Sequence, residues 1–279
     1  MENSNILKIL FFGDLVGKVA RIAVTNYLQE LKKDSSFPDF IIANVENASH
    51  GFGLTEKNYN DLSNAGIDCF TSGNHIWDKK EIFNYIDTAD KLIRPINYPK
   101  EVPGQGSRVF EVNGQKIAVI NALGRVFMPP IDSPLDAIIS EVEKLKEITP
   151  NIIVDFHAEA TAEKVCLGRY LSGIGLSAFV GTHTHVPTAD EKIINNMAYI
   201  SDVGFCGAVD SVIGMEYETS LKRITTLLPE RYEVAESSVC EINAVEISLI
   251  DGVATDIKRI KFDVDNNKKE LEVNVGNGV

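Results

Sequence analysis

Short apolar runs that read as buried strands alternate with segments of helical period along most of this chain. Five of these runs each close on a residue able to bind a metal. Residues 6–12 (ILKILFF) close on Gly13-Asp14, 40–45 (FIIANV) on Glu46-Asn47, and 68–72 on Gly73-Asn74-His75. Residues 151–156 close on His157, and 178–180 on Gly181-Thr182-His183-Thr184-His185. Between them, Val24, Tyr27, Leu28 and Leu31 share one helical face, and a helix starting at Thr55 stops at Gly66. Ser133-Pro134 opens another helix, with Leu135, Ile138, Ile139, Val142 and Leu145 on its apolar face. Such alternation implies an α/β protein. Hairpin signals at Asn113-Gly114 and Asp251-Gly252 add antiparallel pairs, so mixed sheets are expected. No repeat, low-complexity linker or charge block divides the 279 residues. A single domain over 1–279 follows, with a polar tail from 263 to 279 that either extends a strand or frays.

In α/β sheets the carboxyl ends of the strands face the usual ligand crevice. Four of the five histidines lie in this set; His50 alone stands outside it, just past Glu46-Asn47. Two carboxylates, amide oxygens and imidazoles form a mixed oxygen and nitrogen set, which suits Fe, Mn or Zn and not Ca. The absence of thiolates disfavours a purely structural zinc site. Six or seven ligands exceed the needs of one tetrahedral ion, whereas two ions about 3.5–4 Å apart, bridged by a carboxylate and a water, would use them all. With a bridging hydroxide the site would carry about +1, enough to hold a phosphate ester inside an acidic protein. Each piece alone has a plain structural explanation: Asp14 as a helix cap, Glu46-Asn47 and Asn74-His75 as turns, His157 as a packed histidine. Two histidines at i and i+2 behind a strand are harder to explain by packing. His50, Asp78, Asp155, Glu159 and Glu163 lie near the motifs and are assigned structural roles, Asp78 and Asp155 as groups orienting the ligands. Trp77 reads as packing under its loop.

The chain has 27 Lys and Arg against 40 Asp and Glu, a net charge of −13. That argues against a broad duplex-binding surface, which needs cations at the phosphates. Cys69, Cys166, Cys206 and Cys240 are widely spaced and read as reduced, buried thiols of a cytoplasmic protein. No signal peptide is expected at the N-terminus. Residues 170–189 contain no Asp, Glu, Lys or Arg, but their glycines, histidines and Pro187 make them a poor membrane span.

Gly13-Asp14, Gly73-Asn74-His75 and the GTHTH run resemble the signature blocks of calcineurin-like metallophosphoesterases. More closely, FFGDLVGK, NVENASHGFGLT, SGNHIWD, VDFHAEATAEK, GTHTHVPTAD and ISDVG resemble the YmdB-like branch. The resemblance implies a four-layer α/β sandwich of two mixed sheets flanked by helices. The superfamily's first block usually continues Asp-x-His, where this chain has Asp14-Leu15-Val16, and its second block usually supplies an aspartate where this chain has Glu46-Asn47. Both departures fit the branch. The implied ligands are Asp14, Glu46, Asn47 and His185 for one ion, and Glu46, Asn74, His157 and His183 for the other, iron or manganese above all and zinc next. His75 matches the histidine that protonates the leaving group. The implied activity is hydrolysis of 2′,3′-cyclic nucleotides, and of 3′,5′-cyclic ones as a further candidate, by attack of a metal-bridging hydroxide.

Two alternatives stay open on the sequence: a phosphomonoesterase acting on nucleotides or phosphoproteins, and a metal-binding regulatory module working through a protein or RNA partner. An Asp14→Ala variant separates the second, since a regulator would keep its biological effect without hydrolysis. A homo-oligomer is expected by resemblance alone.

Overall fold

The structure is a computed structural model and describes residues 6–33 and 37–268. The N-terminal run forms β1 (Leu7–Leu15), which continues past its apolar signature because the backbone stays paired through Gly13-Asp14. Its alternate side chains enter different cores. Leu7, Ile9 and Phe11 point between the two sheets, while Leu10, Phe12 and Leu15 point outward to helices.

The remaining elements follow as α1 (Gly17–Leu31), β2 (Phe40–Asn44), α2 (Glu56–Ala65), β3 (Cys69–Thr71), β4 (Ser107–Val112), β5 (Gln115–Leu123) and α3 (Pro134–Leu145). Then come β6 (Asn151–His157), α4 (Thr161–Leu171), β7 (Ala178–Thr182), β8 (Lys192–Ile194), β9 (Met197–Ile200), β10 (Phe205–Ala208), α5 (Tyr217–Thr226), β11 (Val239–Ile250) and β12 (Val253–Asp265). The caps match their sequence signals. Thr55 accepts a hydrogen bond from Asn58 N, Gly66 closes α2 in the left-handed conformation, and Ser133 caps α3 ahead of Pro134. Asn113 and Gly114 both have positive φ, as a type I′ hairpin needs.

The first sheet has the order β12-β11-β10-β1-β2-β3 and the second β4-β5-β6-β7-β9-β8. Both are mixed: β1, β2 and β3 run parallel, as do β5, β6, β7 and β9, and hairpin strands add antiparallel pairs. β1 divides one edge between two partners, β11 antiparallel over Leu7–Phe12 and β10 parallel at Asp14 and Leu15. One core lies between the sheets, a second between the first sheet and α1 and α2, and a third under α3 and against the outer face of the second sheet. The layers are therefore α/β/β/α. Each fully buried Leu, Ile or Phe contributes roughly 1.5–3 kcal/mol to holding them together.

β12 runs to Asp265, so the start of the 263–279 tail extends a strand, one of its two expected outcomes; residues 269–279 lie outside the described residues. One expectation needs correction. Cys166 is exposed, not buried, because α4 turns Lys164, Gly168 and Leu171 inward and Cys166 outward. The other three cysteines are buried and all four are free. α4 and β8 to β10 carry no clear periodicity, being short or having polar residues on the buried face. Trp77 does pack, stacked on Phe83 at 5.3 Å and edge-on to Tyr98 at 5.7 Å. Among the described residues no helix is long and apolar enough to cross a membrane.

Candidate metal centre

The parallel strands of both sheets end on one rim. Asp14 stands at the end of β1, Glu46 and Asn47 follow β2, Asn74 and His75 follow β3, His157 ends β6, and His183 and His185 follow β7. Asp14, Glu46, Asn47, His157 and His185 are buried. Glu46 Oε1 lies 3.0 Å from His157 Nε2, which lies 2.9 Å from His183 Nδ1. These three residues offer ligand atoms within 4.8 Å of one another. Asp14 Oδ2 accepts from the His183 backbone N–H at 3.1 Å, and its Oδ1 is 3.7 Å from His157 Nδ1. Asn47 Oδ1 is 3.3 Å from His185 Nε2, whose Nδ1 is turned to the Ile213 carbonyl at 2.8 Å. Of the eight residues singled out in the sequence, Glu46, His157 and His183 cluster tightly, Asp14 touches His157 and His183, Asn47 touches His185, His75 reaches Glu46 through its backbone N–H, and Asn74 makes no side-chain hydrogen bond through its buried Oδ1.

Close approach at this point needs Gly73. A Cβ there would fall 2.2 Å from His157 Cδ2 and 2.4 Å from Glu46 Oε2. His75 follows at once, its N–H donating to Glu46 Oε2 at 3.0 Å. Its ring reaches the partly open side, with Nδ1 2.9 Å from Asp78 Oδ2 and the Phe52 ring edge-on at 4.9 Å.

The charges are out of balance for a dry site. Burial raises the Asp14 carboxyl, with His157 only partly opposing it. Burial would raise Glu46 too, but the adjacent His157 more than offsets it and holds the carboxyl well below its usual range. Burial would lower His157, and Glu46 and Asp14 instead push it up. His183 is pushed down to about 3 by burial and by His157, so its ring is neutral at neutral pH. Asp14 Oδ1 and Asn74 Oδ1 are buried and accept no hydrogen bond. Buried oxygen acceptors without donors, beside a neutral His183 and a His157 held to two carboxylates, form the mixed oxygen and nitrogen donor set a transition-metal cation fits.

Support behind these groups comes from Asp155, which the sequence places among the orienting groups, and from Asn44 and Thr182, to which it assigns no role. His157 Nδ1 lies 2.9 Å from Thr182 Oγ1, which donates to Asp155 Oδ1 at 2.7 Å. Asn44 Nδ2 donates to the other Asp155 oxygen at 3.2 Å. This chain holds the His157 ring so that Nε2 faces the site. Burial raises the Asp155 carboxyl to about 6. Glu159 Oε2 lies 3.1 Å from His183 Nε2, and Glu163 caps the N–H groups of Arg125 and Val126. His50 is exposed and makes none of these contacts. Asn44 and Thr182 could have been noticed as polar residues at the ends of otherwise apolar strands.

The family described as YmdB-like protein matches residues 10–260. A 2′,3′-cyclic-nucleotide 2′-phosphodiesterase of Bacillus subtilis is 47% identical over 266 residues, 93% of this chain and 98% of its own. The crystal structure of a hypothetical protein from Thermus thermophilus superposes with a TM-score of 0.86 at 36% identity, covering 92% of this chain and 99% of its own. That of a novel phosphatase from Mycoplasma pneumoniae has a TM-score of 0.86 at 35% identity, covering 93% and 94%.

Proposed function

The chain belongs to the YmdB-like family, and from that premise we propose that it is a metal-dependent phosphoric ester hydrolase acting on 2′,3′-cyclic nucleotides. The observation that carries this is the buried ring of acceptors at the strand ends, with a partly open histidine at its edge. The name of the Bacillus relative supports the substrate class. Asp14, Glu46, Asn47 and His185 would hold one ion, and Glu46, Asn74, His157 and His183 the other. Asn47 lies beside His185 and Glu46 beside His157 and His183, as that division asks, while Asp14 contacts His157 and His183 and so stands between the two groups. Iron or manganese suits these donors best. When bound, the ions supply Lewis acidity, acidifying water and offsetting charge that builds on the phosphoryl oxygens.

The chain's own residues do the rest. Glu46 orders the site, taking His157 on one oxygen and the His75 N–H on the other. Asp78 holds His75 through Nδ1, which leaves Nε2 to give a proton to the departing oxygen. Water adds to phosphorus, the P–O2′ bond breaks, and O2′ leaves with that proton, giving a nucleoside 3′-phosphate.

The test is metal analysis of the purified protein paired with turnover of 2′,3′-cyclic, 3′,5′-cyclic and monoester nucleotides. About two ions per chain and preferred turnover of the 2′,3′-cyclic substrate are expected. A fully metallated protein inert toward every phosphoester would end the proposal, and preference for monoesters would move it to a phosphomonoesterase.

Self-association belongs to the same proposal. Tyr217, Leu221, Ile224 and Leu228 are exposed at helical spacing on and just past α5, which buries only Ser220. A ten-residue helix with so little packing is marginal by itself. An antiparallel second copy would cover the stripe. Light scattering should show an oligomer that Ile224→Asp breaks to monomers; an unchanged mass counts against this face.

A further inference from the structure

We propose that the buried Lys164–Asp202 pair is a positioning device that holds His183 and His185 in place as metal ligands; this rests on the metal-dependent function above. Lys164 Nζ and Asp202 Oδ2 are 2.6 Å apart, and their side chains are 1% and 2% exposed. Lysine is almost never so buried, and an apolar pair of similar volume usually serves stability as well or better. On α4, Lys164 takes an inward position shared with Gly168 and Leu171, where an aliphatic residue would pack. The fold also makes room for it. A Cβ at Gly181 would come 3.1 Å from Lys164 Cδ, besides colliding with the Ser201 carbonyl.

What the pair holds is the stretch between the two histidines. Asp202 Oδ2 accepts from Thr184 N at 3.0 Å and from Thr184 Oγ1 at 2.8 Å, while Oδ1 accepts from Gly204 N at 2.8 Å. Thr184 is flanked by His183 at φ 103° and His185 at φ 62°. Both lie in the left-handed region, which side-chain-bearing residues rarely adopt and which persists only where the surroundings impose it. Asp14 holds one end of this stretch through the His183 N–H, and Asp202 holds its middle. A carboxylate gathering three donors on one oxygen works best ionised, and Lys164 provides the counter-charge. Lys164 therefore acts on the ligands at one remove, through Asp202 and Thr184.

The experiment is equilibrium dialysis of the metal-stripped full chain against Mn²⁺, with melting curves in chelator, for wild type, Lys164→Met, Asp202→Asn, the double variant and Thr184→Val. Each single variant at the pair should weaken Mn²⁺ binding about 10–100-fold. The double variant should bind no worse than the weaker single, because both changes act through one contact. Thr184→Val buries no unpaired charge, so it should fold normally and still lose Mn²⁺ affinity; it and the double variant decide the matter if Lys164→Met does not fold. Variants that melt lower yet bind Mn²⁺ within about twofold of wild type, far short of the loss a displaced ligand causes, would make the pair merely structural, and losses that add in the double variant would break the link to Asp202. Wild type failing to bind Mn²⁺ would instead overturn the metal-dependent function itself, a result distinct from variants that bind as well as wild type.

Discussion

Glu46→Gln is expected to cut kcat/KM for a 2′,3′-cyclic nucleotide by at least about 10³-fold, equivalent to about 4 kcal/mol of transition-state stabilisation. Glutamine keeps the shape, so the loss reports the charge together with the second acceptor oxygen. Glu46 is buried, and both its oxygens are engaged, one by His157 and one by the His75 N–H. An amide has one acceptor oxygen and cannot serve both, so one buried donor loses its partner at a cost of about 1–3 kcal/mol. The carboxylate is also the group both proposed ions share. Metal content should therefore fall along with activity. A variant that keeps two ions and more than about a tenth of wild-type kcat/KM would remove Glu46 from the centre of the site.

His75→Ala is expected to give a loss that depends on the leaving group. General acid catalysis contributes about 10²–10⁴-fold when the departing oxygen needs a proton. The alkoxide of a nucleoside does, whereas a nitrophenolate leaves unaided. The variant should lose about that factor on the cyclic nucleotide and far less on a nitrophenyl phosphodiester, with metal content unchanged. The geometry makes the separation clean, since the His75 ring is held by Asp78 and Phe52 on the open side while only its backbone touches Glu46. Equal losses on both substrates would deny His75 the role.

The long apolar strands, the capped helices and the two hairpins were legible because each carries its own local signal: Thr55 with Gly66, Ser133 with Pro134, Asn113 with Gly114. The rim of ligand-type residues was legible for a similar reason, since strand ends in an α/β sheet share a direction. α5 carries Tyr217, Leu221 and Ile224 at helical spacing, but that this stripe stays exposed is decided by packing and not by the pattern. Glu159 beside His183 depends on how the turn after β6 folds back, which no periodicity reports.

The residue types and their places at strand ends were thus decided by the sequence alone, because period-2 and period-3.6 patterns and donor chemistry are properties of a few neighbouring residues. Which groups share a contact was decided by tertiary structure. Asp14 and His183 are far apart in the chain yet meet, and Lys164 finds Asp202 only once α4 is laid over Gly181. Burial, and with it every shift in proton affinity at the site, appears only when two sheets close and water is removed from charges that the sequence merely spells out.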